Sequence, residues 1–201
     1  MTITRVPQAE RTRLMRARLL EACVELLVER GFAGTSTTLV SQRAGVSRGA
    51  QLHHFPTKND LVVAAVEHLA EARGDALRAA ATGIRPGPKR TRKVLEMLAE
   101  HVTSPVFTAA LELWVAARTD PVLLAAVAPL EQKIGRELHS LTVELLAADE
   151  SRAGVRELVQ ATLDLMRGLG LAATLSDDAR RRHRILDRWA CTLDTVLEEP
   201  A

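Results

Sequence analysis

From Thr35 to Asp60 the chain reads TSTTLVSQRAGVSRGAQLHHFPTKND. Within it Arg48, Gln51, His53 and His54 carry short to medium hydrogen-bond donors and acceptors at close spacing, the equipment that reaches base edges or phosphates in a DNA major groove. Metal binding is the other chemistry that paired histidines offer. Side chains adjacent on a helix point in different directions, so His53 and His54 are not expected to chelate one ion. Each polar residue taken singly also fits a helix cap or a solvated surface group, and it is the spacing of the set that favours an interface.

Those residues need short helices to hold them. Ser36 is placed to cap a first helix over Thr37–Ala44, in which Leu39 and Val40 face the core and small Ala44 permits close approach. Gly45 supplies the positive φ of a tight turn, and Val46 fills the space beneath it. Ser47 caps a second helix over Arg48–His54, and Phe55 anchors its end. This is the logic of a helix-turn-helix. Ahead of it, a helix is expected from about Ala9 to Glu29, with Ala17, Leu20, Val24 and Leu27 as its inward stripe and Gly31 as its end. A long fourth helix is expected over Lys58–Ala81.

With the helix-turn-helix laid out, Gly45-Val46-Ser47-Arg48-Gly49-Ala50, His53-His54-Phe55-Pro56-Thr57-Lys58 and Leu61 are similar to the signature of the TetR family of regulators. The resemblance implies a DNA-binding domain of three helices (residues 1–57) and an effector-binding and dimerisation domain (58–201). The helix over 58–81 is then the connector and the last two helices are the dimer contact. It also implies that Thr37, Thr38 and Lys58 hold phosphates and that Arg48, His53 and His54 meet bases or backbone, which with Ser47 and Gln51 makes the expected DNA-contacting set. The family commonly has Tyr at position 52 and an apolar residue at 51, whereas this chain has Leu52 and Gln51 and no tyrosine anywhere. An exchange of roles is expected here, with Leu52 packing inward and Gln51 reading a base.

Charge agrees with a nucleic-acid partner at the N-terminal end. Residues 1–60 carry nine Arg and Lys against five Asp and Glu, whereas the remainder carries eighteen against twenty. Phosphate neutralisation dominates such affinity, although a solvated charged face accounts for the same excess.

Downstream, strand signals are nearly absent and Ala, Leu, Glu and Arg dominate, so an all-α fold of about nine helices is expected. The stretch Thr82-Gly83, then Pro86-Gly87-Pro88, is the expected loop between parts. Ser104-Pro105 and Asp120-Pro121 mark two helix starts, and Ser151 and Asp177 or Asp178 are candidate caps for two more. Met97, His101, Phe107, Leu111, Trp114 and Met166 are the candidates for an effector pocket, and all six equally fit a packed core. With an aromatic content of 2%, the effector expected is small, flexible and largely apolar. On the last two helices Leu158, Leu165, Leu169, Leu186, Trp189 and Leu193 form one apolar stripe, and Val159, Met166, Ile185 and Ala190 contribute to a second. Two stripes call for two buried faces, one of them against a symmetry mate, with Gly168 and Gly170 easing the approach. The homodimer then meets double-stranded operator DNA as a pseudo-palindrome, with repression the usual outcome in the family and activation still open.

Other classes fit less well. No histidine has Glu three residues before it, as a di-iron bundle requires, and His-Glu-x-x-His, phosphate-binding Gly-rich loops and a nucleophile elbow are missing. No enzyme activity, cofactor or metal is expected. Apolar runs are too short to span a bilayer, the N-terminus lacks the apolar core of a signal peptide, and Cys23 and Cys191 read as buried small hydrophobes in a reducing cytoplasm. The Arg180–Arg184 run reads as a solvated or dimer-rim face with Asp177 and Asp178 as partners. A protein-interaction module remains the rival, separable by salt dependence.

Overall fold

The computed structural model of the chain describes residues 7–198 apart from 85, 86 and 88. Among the described residues there are nine helices and no strand: α1 Gln8–Gly34, α2 Thr37–Ala44, α3 Arg48–His54, α4 Lys58–Ala81, α5 Arg90–Val102, α6 Pro105–Ala117, α7 Pro121–Leu146, α8 Val155–Ala173 and α9 Ala179–Glu198. Pro86 and Pro88 of the expected loop lie outside the described residues. Before them Gly83 and Ile84 close the end of α4 by donating to Ala80 O and Ala81 O. The first six residues lie outside as well.

Two compact units divide the chain. One takes the described residues up to Ala70 together with Ala109–Ala128, and the other takes Glu71–Thr108 and everything from Pro129 on.

In the first unit α1 buries Leu19, Leu20, Cys23, Leu26 and Leu27. Ala17 and Val24 of the expected stripe are only half-buried, because the buried arc is centred on Cys23. The regular part of α1 ends at Gly31, whose φ of 66° and ψ of 177° belong to a region that only glycine occupies readily. There the chain turns so that the Phe32 N–H donates to the Glu112 carboxylate at 3.2 Å. Asp120 caps α7 by accepting from the N–H groups of Val122 and Leu123, and these bonds hold its carboxyl below the usual aspartate range.

In the second unit α5, α8 and α9 pack on one another. The Thr91 hydroxyl donates to the Asp194 carboxylate, Arg92 pairs with Asp187 at 2.6 Å, and the Trp189 indole N–H donates to the Thr162 hydroxyl at 3.0 Å. At Gly170 a side-chain carbon would lie 2.6 Å from Val102 O and 2.7 Å from the Phe107 ring, so glycine is what lets α8 lie against the end of α5. Gly168 has open space around it.

Several local expectations change. Ser104 precedes α6, but its hydroxyl donates back to His101 O instead of capping forward. Ser151 does not cap α8, which begins only at Val155 behind a left-handed Gly154, and its hydroxyl is held by Asp149. Asp177 does accept from the Ala179 N–H at the start of α9, and Asp178 pairs with Arg181 and Arg182. Cys23 is buried, and burial pushes its thiol up to about 12, whereas Cys191 is exposed on the outer side of α9. Both are free.

The expected dimer stripe also divides. Leu169, Leu186 and Leu193 are buried within the single chain and have no surface left to give a partner. Leu158, Leu165 and Trp189 are half-buried.

Candidate nucleic-acid interface

The helix-turn-helix is held from both ends. The Ser36 hydroxyl accepts the Leu39 N–H at 3.2 Å, and the Ser47 hydroxyl accepts the Ala50 N–H at 3.3 Å. Between the two helices Gly45 stands in the left-handed region with φ 63° and ψ 36°, donating to Ser41 O and Gln42 O. Arg43 forks onto Glu25 and Glu29 at 2.8 to 3.0 Å and so ties α2 to α1. That pairing holds the Glu29 carboxyl low and raises the guanidinium. Thr57 and Asp60 exchange hydrogen bonds at the start of α4, a reciprocal cap whose Thr-x-x-Asp spacing is visible in the sequence.

The rotation of α3 about its axis decides which residues face outward. Gln51 is 0% exposed, and its amide N–H donates to Phe55 O at 2.7 Å. Phe55 is buried under the Arg16 guanidinium, 4.9 Å from the ring centroid. Leu52 is 44% exposed. The packing half of the expected exchange is therefore overturned: Gln51 fills the apolar packing position with no exposed surface, and Leu52 faces out. Its amide survives burial because the carbonyl at the end of a short helix lacks an intrahelical partner and accepts one of its protons. The buried Gln51 Oε1 has no hydrogen-bond partner among the described residues. We therefore expect Gln51→Leu to change stability by no more than about 1 kcal/mol, one lost hydrogen bond being offset by one relieved orphan acceptor, with operator affinity within about twofold of wild type. Thermal melts and a binding titration check both, and a tenfold loss of affinity would restore Gln51 to the interface.

Of the remaining expected contacts, Thr38, Ser47, Arg48 and His53 are exposed, and Thr37, His54 and Lys58 are half-buried. Lys58 has an unforeseen duty. Its ammonium donates to Phe32 O at 2.5 Å and sits 3.9 Å from the Phe32 ring centroid, clamping α4 to the end of α1. Burial lowers its pKa, and a phosphate would have to share it. Nothing in the sequence announces this clamp, since it depends on how the turn at Gly31 presents one carbonyl.

His54 is driven below the ordinary histidine range, first by burial and then by the charges of His53 and Arg16. The fold thus resists a proton that the unfolded chain takes up freely. Its contribution to stability is intact above the unfolded value near 6.5 and declines as pH falls through the lower folded value. His54→Gln is expected to flatten the loss of melting temperature between pH 7 and 5, and equal slopes for both proteins would contradict this.

The effector candidates are divided between the units. Met97, Phe107 and Met166 are buried and His101 half-buried in the second, while Leu111 and Trp114 are half-buried on the part of α6 that belongs to the first. A separate cleft of about 610 Å³ in the second unit is walled by Arg78, Thr82, Arg136, Glu137, Ser140 and Glu144 among others, and includes none of the six. No group of three or more potential metal ligands occurs among the described residues. None of the described helices is long and apolar enough to cross a membrane.

Residues 19–65 match the family described as bacterial regulatory proteins, tetR family. The HTH-type transcriptional regulator CymR of Pseudomonas putida is 31% identical over 186 residues, which is 92% of each chain. A transcriptional regulator from Rhodococcus sp. Rha1 shares the fold with a TM-score of 0.73 at 22% identity, covering 92% of this chain and 99% of its own. The multidrug binding protein EbrR, solved with proflavin, superposes with a TM-score of 0.55 at 24% identity over 87% of this chain and 99% of its own. A helix-turn-helix with an outward Arg48 and His53, inside a chain matched along nearly its whole length by such a regulator, is a DNA-binding element, and the chain belongs to the TetR family of bacterial transcriptional regulators.

Proposed function

We propose that the chain is a cytoplasmic, ligand-responsive repressor that binds a pseudo-palindromic operator as a homodimer. The observation that carries the reading is the outer face of α3, where Arg48 and His53 are exposed while Gln51 and Phe55 fix the helix from beneath. Residues 1–57 form the DNA-binding domain in this reading, residues 58–201 bind the effector and the dimer partner, and α4 is the connector. Thr37, Thr38, Ser47, Arg48, His53, His54 and Lys58 make up the DNA contacts.

Dimerisation is supported by the outer strips of the last two helices. Leu158, Ala161, Leu165, Gly168 and Ala172 on α8 recur at three- and four-residue spacing, as do Ile185, Trp189, Thr192 and Val196 on α9, and none of the nine is buried. Such strips pair as a four-helix contact between copies. Two copies place two recognition helices one helical turn of DNA apart, hence the pseudo-palindrome.

A small, largely apolar effector acts by preferring an arrangement of the dimer that does not fit the operator, so that its binding shifts the population away from DNA. Of the expected residues, Met97, His101, Phe107 and Met166, which share the second unit, are the ones assigned to it. The proflavin complex of EbrR is an instance of a related fold holding a small molecule.

Selection from random DNA followed by sedimentation of the complex tests the reading. Enrichment of an inverted repeat bound by two chains supports it. Enrichment of no sequence, or a monomer at micromolar concentration, contradicts it, and in the first case an interaction module becomes the better account. The effector half is checked by asking whether any compound that raises the melting temperature also releases the operator.

A further inference from the structure

The rotation of α3 leaves an apolar side chain where the interface is otherwise polar. Leu52 lies one turn after Arg48 and Gly49 on the same helix, and helical side chains lean toward the N-terminus, so its exposed side chain lies on their side of α3. At Gly49 a side-chain carbon would meet nothing within 4 Å. Gly49 therefore leaves bare backbone with open space around it, on the same helix as the exposed isobutyl group of Leu52. An aliphatic side chain offers no hydrogen bond to a base edge and no attraction to a phosphate. In the major groove the one apolar group presented by unmodified bases is the thymine C5-methyl.

We propose that Leu52 is a specificity-determining residue that reads a thymine methyl group in each operator half-site. This rests on the operator-binding reading above. It also gives the departure from tyrosine a consequence, since a phenol at position 52 can hydrogen-bond to the DNA backbone, whereas leucine exchanges that for discrimination among bases.

The test uses the full-length protein and its selected operator. Each thymine of the half-site is replaced in turn by deoxyuridine, which removes only the methyl group, and affinity is measured by competition for wild type and for Leu52→Ala. At one thymine position the wild type is expected to lose about fourfold per half-site, the worth of one buried methyl. Leu52→Ala should bind the unmodified operator correspondingly less well and be indifferent to uracil at that position. Because Leu52 is exposed, the variant should melt with wild type, which separates a contact from a folding defect. If every thymine can be replaced without loss, if the half-site contains no thymine, or if Leu52→Ala retains the same penalty, the proposal is overturned while operator binding stands. If unmodified DNA of no sequence is preferred, the operator reading falls and the proposal with it.

Discussion

Arg48→Ala should weaken operator binding by roughly 10- to 100-fold with no change in melting temperature. Arg48 opens α3 and is exposed, and among the described residues no carboxylate is paired with it. A guanidinium at that place can meet guanine O6 and N7 in a bidentate pair worth about 1–3 kcal/mol of discrimination, or a phosphate. The two cases separate on one plot of affinity against salt. Loss of a base contact leaves the slope unchanged and relaxes the preference at one position of the half-site, whereas loss of a phosphate contact weakens all sequences alike and reduces the slope by about one. Arg43, five residues earlier, is the control. It is committed to Glu25 and Glu29, so Arg43→Ala should act by loosening α2 from α1 and show in the thermal melt. A loss below twofold for Arg48→Ala would remove that residue from the interface.

The largest effect on stability is expected at Gly170. A side-chain carbon there would come within 2.6 Å of Val102 O and 2.7 Å of the Phe107 ring. One of these neighbours is backbone and the other is the ring of a buried residue, so neither yields cheaply. Overpacking of this kind costs about 1–3 kcal/mol, and for a chain of this length each kcal/mol is worth roughly 2–4 °C of melting temperature. Gly170→Ala should therefore melt several degrees below wild type, while Gly135→Ala, with open space around it inside α7, gains about 0.5–1 kcal/mol of helix preference and should melt at or slightly above wild type. Equal melting temperatures for the two would show that the approach of α8 to α5 relaxes freely.

The two variants also mark how far the sequence could be read. The helices over 37–44, 48–54 and 58–81 fall where expected because Ser36, Gly45, Ser47 and Pro56 punctuate the chain with side chains that can cap or turn it and do little else there. What periodicity cannot rank is two apolar stripes on one helix. Leu169, Leu186 and Leu193 have the same residue type and spacing as Leu158 and Leu165, and only the packing of α5, α8 and α9 decides that the first three are the chain's own core. Cys191 misled for the same reason, with apolar neighbours in sequence and an outward position on its helix. At Gln51 and Leu52 polarity pointed to the wrong face, because a buried amide is tolerated wherever a stray carbonyl such as that of Phe55 can accept from it. The clamp of Lys58 on Phe32 carries no local signal, being a contact across 26 positions made possible by the turn at Gly31.

The most direct measurement of the central claim is a fluorescence anisotropy titration of the purified protein against the DNA upstream of its own coding sequence, with and without unlabelled competitor, at two salt concentrations. Sequence-specific regulation predicts tight binding by two chains that resists competitor DNA and weakens steeply as salt rises. Binding that competitor removes in proportion to its concentration, followed by a random-DNA selection that enriches nothing, would contradict it.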